Sequence, residues 1–128
     1  MTQAVPRHRT ATGQFLRFVA VGVANTATAW LIILWLQQPL GLLAASGIGY
    51  ATALVQSFLI NRGWTFAAGG DWRVQVPRFI AVNLVCGALF SALNAWAAPV
   101  IGLLPATITG VALTTPLSFM LNRWLVFR

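Results

Sequence analysis

The stretch Ser57-Phe58-Leu59-Ile60-Asn61-Arg62 is written twice in this chain, returning as Ser118-Phe119-Met120-Leu121-Asn122-Arg123 after a shift of 61 residues. A second pair of markers repeats at the same shift: Arg17-Phe18-Val19-Ala20-Val21 returns as Arg78-Phe79-Ile80-Ala81-Val82. Apolar segments resemble one another by composition alone, but two ungapped anchors, each with a charged residue, do not share one shift for that reason. Self-similarity at a fixed period marks a duplicated structural unit. Each copy opens on Arg-Phe, runs through apolar sequence and closes on Ser-Phe-x-x-Asn-Arg. Repeat one covers about residues 15–66 and repeat two about 76–128.

Composition says what solvent these units face. Of 128 residues, 59% are hydrophobic and 7% charged, with a mean hydropathy of +0.80. Soluble domains carry about a quarter charged residues, so this chain belongs in a membrane. Its apolar runs cover about Phe15 to Leu36, Leu42 to Ile60, Phe79 to Ala98 and Leu103 to Leu121. At ~1.5 Å rise per residue, each reaches roughly 28 to 33 Å, enough to cross a hydrocarbon core of about 30 Å. Lipid offers backbone groups no partners, so each run must be a helix. The expected fold is an all-α membrane protein, with four transmembrane helices arranged as two parallel-related helical hairpin repeats.

Residues 1–14, with Arg7, His8 and Arg9, read as a mobile basic tail ahead of a single transmembrane domain at 15–128. A cleavable signal peptide does not fit, because no small-residue cleavage pattern follows the first run. The segments Gln37-Gln38-Pro39-Leu40-Gly41 and Pro99-Val100-Ile101-Gly102 are short and uncharged, which predicts tight hairpins. The longer polar connection at 67–77 holds the sole acidic residue, Asp71, and separates the repeats. Pro77 suits the start of the third helix, where a missing N–H costs nothing.

All eight arginines flank one side of the four spans: Arg7, Arg9 and Arg17, then Arg62, Arg73 and Arg78, then Arg123 and Arg128. The positive-inside rule places both termini and the middle connection in the cytoplasm. Two helices per repeat make both repeats point the same way, related by a pseudo-two-fold axis along the membrane normal. Trp64, Trp72 and Trp124 fall near the cytoplasmic boundary and Trp35 and Trp96 near the other, as interfacial aromatic residues do.

Several function classes are disfavoured. The net charge of +7 does not signal a nucleic-acid partner, since the arginines sit at the ends of apolar runs and form no basic face interleaved with exposed aromatics. Cys86 stands alone, and no Cys/His spacing suits a metal. No Asp, Glu or His lies inside an apolar run, which argues against a proton-coupled carrier. Asp71 has no paired carboxylate and no Ser/His set exists, so neither an enzymatic role nor a cofactor is expected.

The order and spacing of these motifs resemble the GtrA-like family of small four-helix membrane proteins. The likeness rests on Arg17, Phe18, Gly22, Asn25 and Thr26 in the first helix, on Phe58, Asn61, Arg62, Trp64 and Phe66 at the end of the second, and on Phe119, Asn122, Arg123 and Phe127 at the end of the fourth. It covers about residues 15–128. Many relatives carry an acidic or strongly polar residue soon after the Asn-Thr pair, where this chain has Ala27, Thr28 and Ala29. The third helix also differs from the first, with Asn83 and Cys86 in place of Gly22 and Asn25.

The resemblance implies translocation of a polyprenyl-phosphate-linked sugar across a bacterial-type cytoplasmic (inner) membrane, for cell-surface polysaccharide or lipid glycosylation. The alternative is a non-transporting membrane scaffold that recruits or stabilises a glycosyltransferase. Four short helices enclose little volume, so a homodimer or a complex with the transferase suits either role.

Guanidinium presents a planar fork to phosphate oxygens. Arg17 and Arg62 in one hairpin, and Arg78 and Arg123 in the other, are therefore candidate polyprenyl-phosphate ligands, with Asn61 and Asn122 adding amide donors. The same arginines would also serve as anchors on ordinary anionic membrane lipids. Ser46, Tyr50, Ser57 and Asn61 share one predicted face of the second helix, and Thr107, Thr114, Ser118 and Asn122 one face of the fourth. Together with Asn25, Thr26, Asn83 and Asn94, these groups suit either helix packing or the lining of a sugar path through Asn25, Thr26, Tyr50, Ser57, Asn83, Asn94, Thr114 and Ser118. Pro116 replaces Val55 of the first repeat and predicts a kink in the fourth helix, open to a gating role.

Overall fold

The computed structural model describes residues 9–128; most of the basic tail, residues 1–8, lies outside the described residues. Helix α1 spans Ala11–Leu40 and α2 spans Leu42–Ile60, continuing without a break into a π turn at Asn61–Thr65. Helix α3 spans Trp72–Ile101 and α4 spans Leu103–Leu121, continuing into a second π turn at Asn122–Val126. Every boundary in the second set is displaced by 61 residues from its counterpart in the first. The chain divides into two compact units at the Phe66–Ala67 bond. Each unit is a helical hairpin, called here hairpin one and hairpin two. All four helices, α2 and α4 taken with their π turns, are long and apolar enough to cross a membrane.

The odd helices begin earlier than hydropathy predicts. α1 starts at Ala11, inside the stretch expected to be tail, and α3 starts at Trp72 rather than near Phe79. Side-chain caps account for both. Thr10 Oγ1 accepts from the Gly13 N–H at 3.2 Å, and Asp71 Oδ1 accepts from the Arg73 N–H at 2.9 Å. Such caps satisfy donors that an opening helical turn would otherwise leave bare. A helix of 30 residues is about 45 Å long, well beyond a core of about 30 Å. Hydropathy therefore reports the lipid-embedded section, while the caps set where the helix starts. Pro77 is consequently not at the start of α3 but inside it. There it removes the donor that would meet the Arg73 carbonyl. Gln75 ties the preceding loop to α3 by donating from Nε2 to the Gly69 carbonyl at 2.7 Å.

The turns are tighter than the predicted four- and five-residue segments. α1 runs through Pro39 to Leu40 and α3 through Pro99 to Ile101, so one glycine joins the helices of each hairpin. Gly41 has φ 83° and ψ 157°, and Gly102 has φ 89° and ψ 158°. Only glycine occupies this region without strain. The Gly41 N–H closes α1 on the Gln37 carbonyl at 2.9 Å, while its own carbonyl accepts from the Ala45 N–H at 3.1 Å. Gly102 does the same between Ala98, at 2.9 Å, and Ala106, at 3.2 Å.

Between the helices lies a seam of small residues. Ala45, Gly49 and Ala53 are buried along α2, and Ala106, Gly110 and Thr114 along α4. Without a hydrophobic drive between helices in lipid, close backbone approach supplies the packing energy. A Cβ at Gly49 would lie 2.9 Å from the Ala29 carbonyl oxygen and 3.2 Å from Ile33 Cγ1. At Gly110 it would meet the Asn94 side chain at 2.9 Å and the Phe90 ring at 3.0 Å. At the other end of each hairpin an aromatic pair closes the seam. Phe18 and Phe66 have centroids 6.2 Å apart, and Phe79 and Phe127 6.0 Å apart. Large apolar side chains such as Trp35, Leu43, Trp96 and Val100 point outward, as a lipid solvent allows. The α-helical assignment of α4 continues through Pro116, which is exposed.

The seam makes a direct prediction. Gly49→Ala must push backbone against backbone and should lower stability by roughly 1–3 kcal/mol. Gly47→Ala, with nothing within 4 Å of the new methyl group, should be neutral or slightly stabilising. Thermal unfolding of both variants in one detergent checks the contrast, with Gly110→Ala between them because side chains can shift.

Candidate functional site

The repeated Ser-Phe-x-x-Asn-Arg stretch marks where each even helix changes its hydrogen-bond register. The Phe66 N–H bonds to the Asn61 carbonyl and the Phe127 N–H to the Asn122 carbonyl, each at 2.9 Å and five residues apart. Such π turns recur at functional sites. In hairpin one the wider turn places both Asn61 and Thr65 inside, at 1% and 0% exposure, while Trp64 faces out. Asn61 Nδ2 donates to Ser57 Oγ at 3.2 Å. Asn122 Nδ2 donates to the Ser118 carbonyl at 2.8 Å and to Ser118 Oγ at 3.3 Å. In both residues Oδ1 is buried without a hydrogen-bond partner among the described residues.

Arginines of the odd helices reach across to these turns. Arg17 Nη1 donates to the Trp64 carbonyl at 3.2 Å, and its guanidinium lies 5.2 Å from the centroid of the Trp64 ring. Arg78 Nη1 donates to the Leu125 carbonyl, also at 3.2 Å. The two contacts are equivalent under the 61-residue shift. The last carbonyls of a helix lack helical donors and carry partial negative charge, so an arginine there satisfies an acceptor and suits the dipole. Arg9 donates to the same Trp64 carbonyl. Arg62 and Arg123, both half-buried, follow the buried asparagines in these turns.

The predicted phosphate ligands thus assemble within each hairpin: Arg17 against the turn that carries Asn61 and Arg62, and Arg78 against the turn that carries Asn122 and Arg123. Residues 9–66 contain no Asp or Glu, so the positive charge of Arg9, Arg17 and Arg62 is unbalanced within that sequence. In hairpin two, Arg73 lies with its guanidinium 5.7 Å from the Trp72 centroid. Among the described residues, no group of three or more His, Cys, Asp or Glu could hold a metal.

The eight predicted path-lining residues behave differently. Thr26 Oγ1 donates to the Gly22 carbonyl at 3.0 Å, Asn83 Nδ2 to the Phe79 carbonyl at 2.8 Å, and Thr114 Oγ1 to the Gly110 carbonyl at 2.8 Å. These three serve their own helices. Ser57 and Ser118 receive the asparagine amides described above. Tyr50 is exposed, whereas Ser46 and Ser57 are half-buried and Asn61 is buried. The inward face of α2 follows Ala45, Gly49 and Ala53 instead.

Three of the eight bridge helices: Asn25, Asn94 and Ser118, whose hydroxyl meets the Cys86 thiol of α3. Gln56 Nε2 donates to Asn25 Oδ1 at 3.1 Å, and Thr28 Oγ1 donates to Gln56 Oε1 at 3.1 Å. In hairpin two, Thr107 Oγ1 donates to Asn94 Oδ1 at 2.9 Å. Gln56 and Thr28 were not among the residues that sequence reasoning selected. The available signal was an amide inside a transmembrane run, placed immediately before the repeated stretch and with Leu117 as its counterpart.

Burial of the asparagine oxygens yields a second prediction. An unpaired buried acceptor costs about 1–3 kcal/mol, so removing it offsets the loss of the neighbouring amide donor's bond to the serine, about 0.5–1.5 kcal/mol. Asn61→Leu and Asn122→Leu should therefore hold or raise the thermal midpoint in detergent. A fall of more than a few degrees would show that these oxygens contribute bonds essential to the fold.

Residues 17–127 match the family described as GtrA/DPMS, transmembrane domain. Neither curated proteins nor solved structures gave a match. The matched region begins at the arginine that contacts the first π turn and ends at the phenylalanine that closes the second, so it takes in both hairpins. Two hairpins of membrane-crossing length, each with an arginine joined to its π turn, make this chain a multi-pass membrane protein of the GtrA/DPMS transmembrane-domain family.

Proposed function

We propose that the protein translocates, or assists in translocating, a polyprenyl-phosphate-linked sugar across a bacterial-type cytoplasmic membrane for surface polysaccharide or lipid glycosylation. The observation that carries the reading is the paired arginine arrangement at the basic end of each hairpin, in a chain of this family. In this reading the hairpins are parallel-related repeats, and both termini are cytoplasmic because every arginine flanks that side. Arg62 and Arg123 offer their forks to the lipid phosphate. Arg17 and Arg78 keep donors beyond the one used on the backbone, and so hold further positive charge beside that phosphate. Asn61 and Asn122 are too buried to reach a bulky ligand directly; they shape the turn from which each arginine projects.

The reading needs no catalytic step from this chain. The spans also hold no carboxylate or histidine to couple flipping to protons, so movement follows the lipid gradient or consumption of the sugar downstream. A second reading, a scaffold for a membrane glycosyltransferase, draws on the exposed Trp72 with Arg73 over its ring.

Reconstitution separates the two. Purified protein in proteoliposomes should accelerate exposure of a polyprenyl-phosphate-linked sugar on the far leaflet. The double variant Arg62→Lys/Arg123→Lys, inserted at wild-type level, should lose about tenfold in rate as two-point phosphate contacts become single ones. Absence of acceleration, with a glycosyltransferase co-purifying from cells, would establish the scaffold instead.

A further inference from the structure

We propose that Asn25 and Gln56 form a subsite in hairpin one for an uncharged sugar headgroup, and that hairpin two has no equivalent. The inference rests on the lipid-phosphate reading above and specifies what is attached to that phosphate.

Hairpin two serves as an internal control. Its residues at the equivalent positions are Cys86 and Leu117, which cannot reproduce an amide pair, yet α3 and α4 form the same hairpin as α1 and α2. The architecture therefore does not require two amides at this level. At this level hairpin two has, among the described residues, only the Cys86 thiol against the Ser118 hydroxyl, which lacks the paired donors of an amide. Its other polar bridge, Thr107 to Asn94, lies near its glycine turn. Thr107 is ten residues from Leu117, or about 15 Å farther from the basic end. The Asn25–Gln56 pair is thus a local feature of hairpin one.

Its position suits a headgroup. Gln56 precedes Arg62 by six residues on a continuous helical path, about 9 Å along the axis. A pyranose ring and its phosphate cover that span. Gln56 is half-buried and forms part of an open trough of about 550 Å³ along α2, with Ala51, Thr52, Val55, Leu59 and Ile60. It is the one amide among these lining side chains.

The bonding pattern leaves capacity in both directions. Gln56 Nε2 gives one hydrogen to Asn25 Oδ1, and Gln56 Oε1 takes one from Thr28. The second Nε2 hydrogen and both Asn25 Nδ2 hydrogens have no partner among the described residues, and each amide oxygen retains a lone pair. A sugar hydroxyl, donor and acceptor at once, can use both kinds of group. The charge of the sugar follows from what surrounds the pair. Between Phe18 and Asn61 there is no Asp, Glu, Lys, Arg or His. A uronate or an amino sugar would enter this section without a counter-charge and bear the full desolvation penalty; a neutral hexose would not.

The test measures binding of three probes by native mass spectrometry from detergent: bare polyprenyl phosphate, its neutral hexosyl derivative and its uronyl derivative. Wild-type protein should bind the hexosyl lipid about tenfold more tightly than the bare lipid, as one or two added hydrogen bonds allow, and more tightly than the uronyl lipid. Gln56→Leu, which installs the residue of hairpin two, should erase the hexosyl preference and leave bare-lipid binding unchanged. Thr28→Val, a smaller change that only frees Gln56 Oε1, should reduce the preference in part. Equal binding of bare and hexosyl lipid by the wild type, or a preference that survives Gln56→Leu, overturns the subsite and leaves the lipid-phosphate reading standing. Failure to bind any of the three lipids overturns both.

Discussion

A hydrocarbon solvent cannot hydrogen-bond, and nearly every polar choice in this structure answers to that constraint. Backbone groups are satisfied by helices that run 30 residues in α1 and α3. Some threonines and asparagines inside the spans turn back to their own helices, as Thr26, Asn83 and Thr114 do. Others pair across the hairpin, as Asn25, Thr28 and Thr107 do. With lipid as apolar as leucine, helix association falls to close contact between small residues. The seam through Gly49 and Gly110 follows from this, and so do the tryptophans and leucines on the outside. The usual inside-out logic of a soluble core is absent.

The basic ends meet a different demand. There each hairpin brings positive charge to the carbonyls that close its even helix, and the same contact joins odd helix to even. Arg17 and Arg78 are structural through one nitrogen and available through the others. In a chain so poor in charge, the residues that hold each hairpin closed at this end are thus also the ones that concentrate its positive charge. The π turns contribute by rotating the asparagines inward. Each arginine that follows is left at an intermediate depth, neither buried with the amide nor out with the tryptophan.

Much of this was legible before any coordinates, and the misses have physical causes. Hydropathy located the lipid-embedded section of all four helices because that section must be apolar. It misplaced the starts of α1 and α3 because a cap depends on one side chain: Thr10 and Asp71 are polar residues in polar stretches and leave no mark on a hydropathy profile. The turn at Gly41 is shorter than the hydropathy profile implies because the polar Gln37 and Gln38 end the apolar run while the helix continues through Pro39 to Leu40. The repeated hexapeptide located the arginines but not the π register, which is a matter of which amide meets which carbonyl. Gln56 lies off the face of α2 that carries Ser46, Tyr50, Ser57 and Asn61, and it has no counterpart at the common shift. Its departure from the repeat is the property that makes it informative.

The single-glycine turns bear on how such a chain enters a membrane. A hairpin with a long polar loop must carry that loop through the bilayer before its second helix can settle. Here the crossing segment is almost nothing. Beyond Gly41 and Gly102 themselves, the turn regions bring only Gln37 and Gln38 as polar side chains, and neither turn carries a charge. α2 begins where α1 ends, so the pair can enter as one folded object, with backbone hydrogen bonds already made around the bend. Insertion then depends on the apolar helices, which favour entry, and no charged side chain of either turn has to cross.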